Sequence, residues 1–352
     1  MVSDSLDSRV TVADIAAEAG VSRATVSKVL NGRSDVAPAT RSQIETLLAR
    51  RGYVPTKRTK RPLHLPLPRP AARRGGLLEL VVSDVNSPWA AEVIRGAEQE
   101  ARPARVGVVV SVFDGAPGHG QQWLEDIADR APGGIILALS ELTPADLTRI
   151  AKLGLPAVLV DPVGDADGTI PSIGAGNWGG GMAAAKHLVE LGHRRIGMIT
   201  GPMRLLCSQA RLAGCRAALE RAGLTLDDDL VQHGDFHYHS GFSLTQALLD
   251  RPGPPTAIFA GNDEQALGVY AAIQERGLRV PADVSVVGFD DVPMAQWMAP
   301  PLTTVRQPIA KMAALAVRSL LGHQDGAEMT EGRVELSTKL VVRASTAPYS
   351  PG

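Results

Sequence analysis

The sequence has few of the features that mark secreted, membrane or disulfide-rich proteins. Its 352 residues include only two cysteines, Cys207 and Cys215, whose number and spacing fit neither a disulfide framework nor a zinc site. No apolar run reaches the ~18 residues that a membrane helix needs. Residues 1–10 are polar and lack the apolar core of a signal peptide. We therefore expect a cytoplasmic protein in a reducing compartment.

The chain has almost no net charge, but its charges are unevenly distributed. The formal net charge is −1, although residues 1–76 carry 14 Lys/Arg and only 6 Asp/Glu. A basic segment attached to an acidic body is typical of a protein whose basic part meets a polyanion such as nucleic acid. A solvated basic tail is the alternative, and the motifs within the segment decide between the two.

Three regions differ in their sequence pattern. Residues 9–53 have the pattern of short helices, and residues 54–76 are basic and proline-rich, which predicts a hinge or linker. Residues 77–346 alternate short apolar runs with amphipathic stretches, which predicts an α/β fold of parallel sheets flanked by helices. The predicted strands are Leu77–Ser83, Val106–Val112, Gly134–Leu139, Ala157–Val160, Arg195–Thr200, Ala257–Ala260 and Val284–Gly288. The predicted helices are Ala90–Ala101, Gln121–Arg130, Ala145–Leu153, Trp178–Leu191, Gln209–Ala222, Gly241–Leu249, Glu264–Arg276 and Ile309–Leu321. This number of units exceeds one doubly wound domain, so we expect two lobes with a ligand cleft at the carboxyl ends of their strands.

Residues 11–31 predict a helix-turn-helix. Thr11 can cap a first helix, which ends at Gly20, a residue suited to a tight turn. Ser22 can cap a second helix, and Pro38 suits the first turn of a third. Two short helices joined by a glycine turn form the unit that lays its second helix in the major groove of DNA. A small helical bundle with a solvated basic face is the alternative.

On the predicted second helix, Arg23, Ala24 and Lys28 face away from the apolar side. Arg and Lys favour guanine O6 and N7, and alanine can contact a thymine methyl, so we expect these three residues to read base edges. Small polar and basic side chains around them suit contacts to phosphates. The predicted DNA surface is completed by Thr11, Ser22, Thr25, Ser27, Asn31, Lys57, Arg58, Lys60 and Arg61.

Polar and aromatic residues lie at or near the ends of predicted strands in residues 77–346. Asp161 and Asp290, for example, follow two of these strands. A sugar needs planar bidentate groups for its vicinal hydroxyls and an aromatic face for the C–H side of its ring. The predicted effector-binding residues are Trp89, Asp161, Arg211, Phe236, Asn262 and Asp290. For the two aromatic residues a core position is the alternative, and for the two aspartates a helix cap.

Several segments resemble the lactose-repressor (LacI/GalR) family, in the same order along the chain. They are residues 11–31 and 50–55, Leu191–Ile196, Gly261–Asp263, Val280–Asp291 and Pro301–Val305. The resemblance implies a homodimer on a near-palindromic operator, with an effector core like that of periplasmic sugar-binding proteins. It implies that Arg211 holds the ligand by a charged fork and that Phe236 forms an aromatic wall. It implies that Asn262 and Asp290 bind hydroxyl groups.

The resemblance also implies where the lobes begin and end. Lobe 1 would comprise about residues 77–173 and 303–330, and lobe 2 about residues 174–302 and 331–346. The hinge departs from the family pattern, because Pro62 stands where the family has a leucine that wedges into the minor groove. We expect the four basic residues before it to follow phosphates or to enter a narrow minor groove instead.

These features together predict a DNA-binding transcriptional regulator, most simply a repressor, that is controlled by a small polyhydroxylated effector. We expect no enzymatic activity, cofactor or metal, because no nucleophile stands near a base. The alternatives are a solute-binding protein, or a nucleotide-cofactor enzyme that carries a DNA-binding head. Gly174–Gly179 formally fits G-x-G-x-x-G, but Thr169–Ile173 predicts a poor strand and no acid follows the next strand. A metal site at His233, Asp235, His237 and His239 would lack a zinc-type spacing.

Overall fold

The computed structural model describes residues 11–30, 36–51, 76–113, 119–138, 144–162, 170–329 and 332–350. The chain divides into two compact units, the head Met1–Ala72 and the body Arg73–Gly352. The predicted linker lies outside the described residues apart from Gly76. None of the described helices combines the length and the apolarity needed to span a membrane.

The head contains three helices, α1 Val12–Ala19, α2 Arg23–Leu30 and α3 Pro38–Arg50. A reciprocal capping box starts α1, because Thr11 N donates to Asp14 Oδ2 over 2.8 Å and Asp14 N donates to Thr11 Oγ1 over 3.4 Å. Gly20 ends α1 in the left-handed conformation, with φ 65°. The apolar faces of the helices share one small core, formed by Ile15, Ala16, Ala19, Val26, Val29, Val36 and Ile44. The predicted helix-turn-helix fold is therefore confirmed.

The body alternates strands and helices, as the pattern of apolar runs predicts. The strands are β1 Leu77–Val82, β2 Gly107–Val112, β3 Ile135–Ala138, β4 Ala157–Val160, β5 Ser172–Ala175, β6 Ile196–Thr200, β7 Val231–His233, β8 Ala257–Ala260, β9 Ser285–Asp290, β10 Thr303–Arg306, β11 Arg333–Leu336 and β12 Lys339–Val341. The helices are α4 Pro88–Ala101, α5 His119–Arg130, α6 Pro144–Lys152, α7 Asn177–Glu190, α8 Leu206–Arg221, α9 Tyr238–Leu249, α10 Asp263–Glu275 and α11 Ile309–Gln324.

The strands form two six-stranded sheets, one in each lobe. The first sheet has the order β11-β5-β4-β3-β1-β2, and each neighbouring pair is parallel. The second has the order β12-β10-β9-β8-β6-β7, in which β12 alone runs antiparallel to its neighbour. Helices cover both sheets, so the predicted two-lobed α/β architecture is confirmed.

The chain passes between the lobes at three places in the described residues: β5 to α7, β10 to α11, and β11 to β12. The expected lobe boundaries need correction at each place. β10 pairs with β9, so residues 303–306 belong to the second lobe. β11 pairs with β5, so residues 333–336 belong to the first lobe. Both β10 and β11 lie next to a place where the chain passes between the lobes. The strand with which each one pairs, rather than its own short sequence, determines the lobe to which it belongs.

Five short strands were missed by the sequence analysis: β5, β7, β10, β11 and β12. The expectation that residues 169–173 form a poor strand is wrong, because Ser172 and Ile173 begin β5. Neighbours pair with β5 on both sides, and such pairing stabilises a segment whose own strand propensity is weak.

Glycines let three pairs of helices approach closely. A Cβ on Gly214 of α8 would lie 2.0 Å from Trp178 O of α7, and a Cβ on Gly181 of α7 would lie 2.2 Å from Arg211 O of α8. Gly241 and Gly268 allow the same close approach of the backbones of α9 and α10, and Gly96 allows it for α4 and α11. Because α8 carries Arg211, the contact between α7 and α8 also determines where that side chain lies.

Candidate functional site

A cleft of about 320 Å³ lies between the two lobes, at the carboxyl ends of strands from both sheets. This volume lies at the lower end of the range typical of small-molecule sites. All six predicted effector residues line the cleft, two from the first lobe and four from the second. The crevice rule for parallel sheets accounts for this common position, while the role of these residues in effector binding stays a prediction.

Arg211 is the most heavily engaged side chain in the cleft. It is 3 % exposed, and its Nε donates to Asn177 Oδ1 over 2.8 Å. Its Nη1 donates to Gly261 O over 2.6 Å, and its Nη2 lies 3.8 Å from Asp290 Oδ1. Its guanidinium carbon stands 3.8 Å from the centre of the Phe289 ring, a cation–π contact. These contacts fix the planar fork while its Nη2 edge stays beside Asp290.

Two aspartates lie near the base of the cleft in the left-handed region of backbone space. Asp161 has φ 54° and directly follows β4, whereas Asp290 has φ 113° and is the last residue of β9. Burial raises the pKa of Asp290 to about 6 although Arg211 opposes the shift, and burial also raises the pKa of Asp161. Strained backbone and buried charge are tolerated together mainly at functional sites.

Asn262 holds one wall of the cleft in place. Its Oδ1 accepts a hydrogen bond from Gln265 N over 2.8 Å and so caps α10, and its Nδ2 donates to Phe236 O over 2.9 Å. Asn262 is the N-cap of α10, whereas no described helix begins directly after Asp161 or Asp290, so the alternative of a helix cap at these aspartates is not supported. Its amide anchors the backbone of Phe236, which has φ 73°.

Aromatic side chains stand on both sides of the cleft. Trp89, near the start of α4, is partly buried and packs in part against the first-lobe core while it also lines the cleft. Phe236 lines the cleft from the second lobe, and the Arg211 guanidinium carbon lies 5.5 Å from its ring centre. Phe113, at the end of β2, was not predicted and adds a third aromatic surface.

Three further carboxylates line the cleft, and we refer to them as the rim carboxylates: Asp84, Asp235 and Glu264. Asp84 follows β1 closely, so the signal that identified Asp161 could also have found it. The Glu264 carboxylate accepts a hydrogen bond from Tyr238 N over 3.1 Å at the start of α9, a tertiary contact that has no local sequence signal.

The alternative sites do not assemble in the described residues. His233 Nδ1 lies 3.0 Å from Thr200 Oγ1, His237 Nδ1 lies 3.3 Å from Glu264 Oε1, and no group of three potential metal ligands is found among the residues described. Gly174–Gly179 joins β5 to α7 and carries the chain from one lobe to the other. This connection has the strand–turn–helix form of a nucleotide motif, but no acid stands at the end of β6 to hold a ribose.

In the head, one face of α2 is exposed to solvent and the opposite face is buried. Arg23, Ala24 and Lys28 are exposed, whereas Val26 and Val29 on the opposite face are buried. Ser22 Oγ accepts a hydrogen bond from Thr25 N over 3.2 Å at the start of the helix. Thr11 and Ser27 are also exposed. The remaining predicted DNA contacts, at Asn31, Lys57, Arg58, Lys60 and Arg61, lie outside the described residues.

Comparison with known proteins agrees with both units. Residues 11–56 match the family model "Bacterial regulatory proteins, lacI family", and residues 185–346 match a periplasmic binding protein-like domain. The HTH-type transcriptional repressor CytR of Escherichia coli (strain K12) is 33 % identical over 338 residues, which cover 96 % of each chain.

Solved structures extend the likeness to the whole fold. The transcriptional regulator CelR in complex with cellobiose is 33 % identical, with TM-score 0.71 over 96 % of this chain and 100 % of that chain. The lac repressor dimer bound to operator and the anti-inducer ONPF is 30 % identical, with TM-score 0.68 over 96 % and 99 %. The helix-turn-helix, the two-lobed core and the full-length similarity agree, and the chain belongs to the LacI family of bacterial transcriptional regulators.

Proposed function

We propose that this chain is a cytoplasmic, dimeric repressor whose affinity for a near-palindromic operator is set by a sugar or sugar-like effector. The observation that carries the proposal is the cleft, where a fixed arginine fork, the buried Asp290, the partly buried Asp161 and aromatic walls converge from both lobes. The relatives support it, since one was solved with cellobiose and another with operator DNA.

DNA recognition would use α2 as the reading helix. Its exposed Arg23 and Lys28 can donate to guanine O6 and N7, while the hydroxyls at the start of the helix suit phosphates. A dimer would present two such helices to half-sites about one helical turn apart, which accounts for a near-palindromic operator.

Replacing Arg23 or Lys28 by alanine is expected to cost about 1–3 kcal/mol on the cognate operator and to relax base preference at one position of each half-site. Binding-site selection at fixed salt measures both effects. Arg50→Ala is the matched control, because Arg50 is an exposed cation at the end of α3. Any loss of affinity in the Arg50→Ala variant should be the same for all DNA sequences, and its base preference should stay unchanged. Unchanged base preferences in both the Arg23 and the Lys28 variant would contradict the assignment of α2 as the reading helix.

Effector binding would use the arginine fork and the aspartates together. Vicinal hydroxyls of a polyol can bridge the Nη2 edge of Arg211 and the carboxylate of Asp290, which lie 3.8 Å apart at their closest atoms. A ring between Trp89 and Phe236 would contact both lobes. A ligand that touches both lobes stabilises one relative arrangement of them, and this preference is what couples it to DNA affinity.

Arg211→Lys and Asp161→Asn are each expected to weaken effector binding by about 1–3 kcal/mol, because lysine lacks the planar bidentate fork and asparagine replaces a charged acceptor by a weaker neutral one. Titration calorimetry with a sugar that stabilises the wild-type protein measures the loss. Arg216→Ala serves as the control, since Arg216 lies on the same helix but pairs with Asp228 outside the cleft. Wild-type affinity in both cleft variants would refute the site.

A further inference from the structure

The charge of the cleft is strongly one-sided. Five carboxyl groups line it, the three rim carboxylates together with Asp161 and Asp290, against the guanidinium groups of Arg204 and Arg211. The rim carboxylates come from both lobes, Asp84 from the first and the other two from the second. The connections 114–118, 139–143 and 163–169, which follow β2, β3 and β4, contain no Lys or Arg in their sequence.

The positive charge at the base of the cleft is already compensated. Arg211 lies beside Asp290 and donates to two further oxygens, as described above. Asp290 itself is 5 % exposed and accepts a hydrogen bond from Gln307 through Oδ1, whereas no group among the described residues donates to its Oδ2. Because Asp290 lines the cleft, its Oδ2 can accept a hydrogen bond from a hydroxyl or amine group of a ligand.

Each rim carboxylate is held by backbone donors through one of its oxygens. Asp84 Oδ1 accepts from Asn86 N over 2.8 Å, and Asp235 Oδ1 accepts from His237 N over 2.9 Å. Glu264 Oε1 accepts from Tyr238 N and lies 3.3 Å from His237 Nδ1. These hydrogen bonds hold the carboxylates in the lining of the cleft, so a ligand that carries a negative charge meets like charge on both lobes.

We propose that the rim carboxylates make the cleft select against anions, so that its effector is an uncharged or amine-bearing polyol, and phosphate esters and sugar acids are rejected. This inference rests on the proposed function and adds the chemical class of the ligand. At an effective dielectric constant of about 20, one like charge at about 8 Å opposes binding roughly 30-fold. A phosphate ester carries up to two negative charges near pH 7.

The test compares matched ligands on the full-length protein by thermal shift and calorimetry. The probes are ribose, ribose 5-phosphate, glucose, glucose 6-phosphate, cellobiose and glucosamine. We expect at least one uncharged sugar or glucosamine to bind, and the phosphate ester of any sugar that binds to be weaker by at least tenfold. A phosphate ester that binds more tightly than its parent sugar would contradict the selection against anions, whereas the proposal of a sugar-derived effector would stand. Binding by none of the six would contradict the sugar effector itself, and the selection with it.

A triple variant tests the residues directly. Asp84→Asn, Asp235→Asn and Glu264→Gln together remove three charges but keep side-chain volume and an acceptor oxygen for each backbone donor. The affinity ratio of sugar to phosphate ester should fall at least tenfold. The control variant removes three helix carboxylates outside the cleft, at the partly exposed Glu98 and the exposed Glu220 and Glu275, so that the net charge matches. An equal change in both variants, or no change in the first, would overturn the role of the rim carboxylates.

Discussion

Gly214→Ala is expected to destabilise the body by about 3 kcal/mol, because the added methyl group would overlap with backbone atoms. Backbone atoms cannot move aside as a flexible side chain can. The added Cβ would meet Trp178 O at 2.0 Å and Met182 N at 2.8 Å, both in the main chain of α7. Relief requires α7 and α8 to move apart, and Arg211 would move with α8. The variant should therefore lose effector affinity as well as stability, which chemical denaturation and calorimetry measure separately.

Gly179→Ala is the matched control for this prediction. Gly179 lies in the same helix pair, is exposed, and would place a Cβ with no atom within 4 Å. Alanine has the higher helix propensity, so this variant should be neutral or more stable by up to about 1 kcal/mol. Equal destabilisation by the two substitutions would show that the close helix contact is not what the glycine is needed for.

Asp290→Asn is expected to stabilise the free protein at pH 7 by up to about 3 kcal/mol while it weakens effector binding. The reason is that burial raises the pKa of Asp290 from its usual 3.8 to about 6. The folded state thus favours the protonated carboxyl. The contribution of the protonated Asp290 carboxyl to the free energy of unfolding is fully present below about pH 4 and is lost as the pH rises through about 6. The gain from asparagine should shrink as the pH falls and vanish near pH 4.

The next residue provides a control of opposite sign. The Asp291 side chain is 2 % exposed and pairs with Arg306 over 2.6 Å and with Arg343 over 2.5 Å. Asp291→Asn removes the charge that compensates Arg343, whose side chain is largely buried, so this variant should lower stability at pH 7. Denaturant unfolding between pH 4 and pH 8 compares the two variants. A destabilised Asp290→Asn protein at pH 7 would mean that the Arg211 contact outweighs burial.

Local signals sufficed to predict the head. The Thr11 cap, the turn at Gly20 and the apolar spacing of α1 and α2 all lie within about 20 residues, and each acts on its nearest neighbours. The buried strands of the body were also predictable, because parallel strands covered on both faces are short continuous apolar runs. Strands such as β10 and β11 were not, since residues distant in sequence pair with them.

The cleft was predictable to the extent that its residues follow strands. Asp161 and Asp290 were found because strand ends converge in this fold. Glu264 was missed because its position depends on how α9 packs against α10, and the hydrogen bond from Asn262 Nδ2 to Phe236 O likewise joins residues that are distant in sequence. The glycine contacts between helices were missed for the same reason. No local sequence signal distinguishes a glycine at a close contact between two helices from a glycine elsewhere in a helix.

The threefold passage of the chain between lobes has a consequence for synthesis on the ribosome. The first lobe needs α11 and β11, since α4 packs its buried face against α11 and β5 pairs with β11. Elongation at 5–20 residues per second separates Val160, at the end of β4, from Gln324, at the end of α11, by about 10–30 s. During that time the side of α4 that packs against α11 lacks its native partner, and exposed apolar surface of this kind is what chaperones bind.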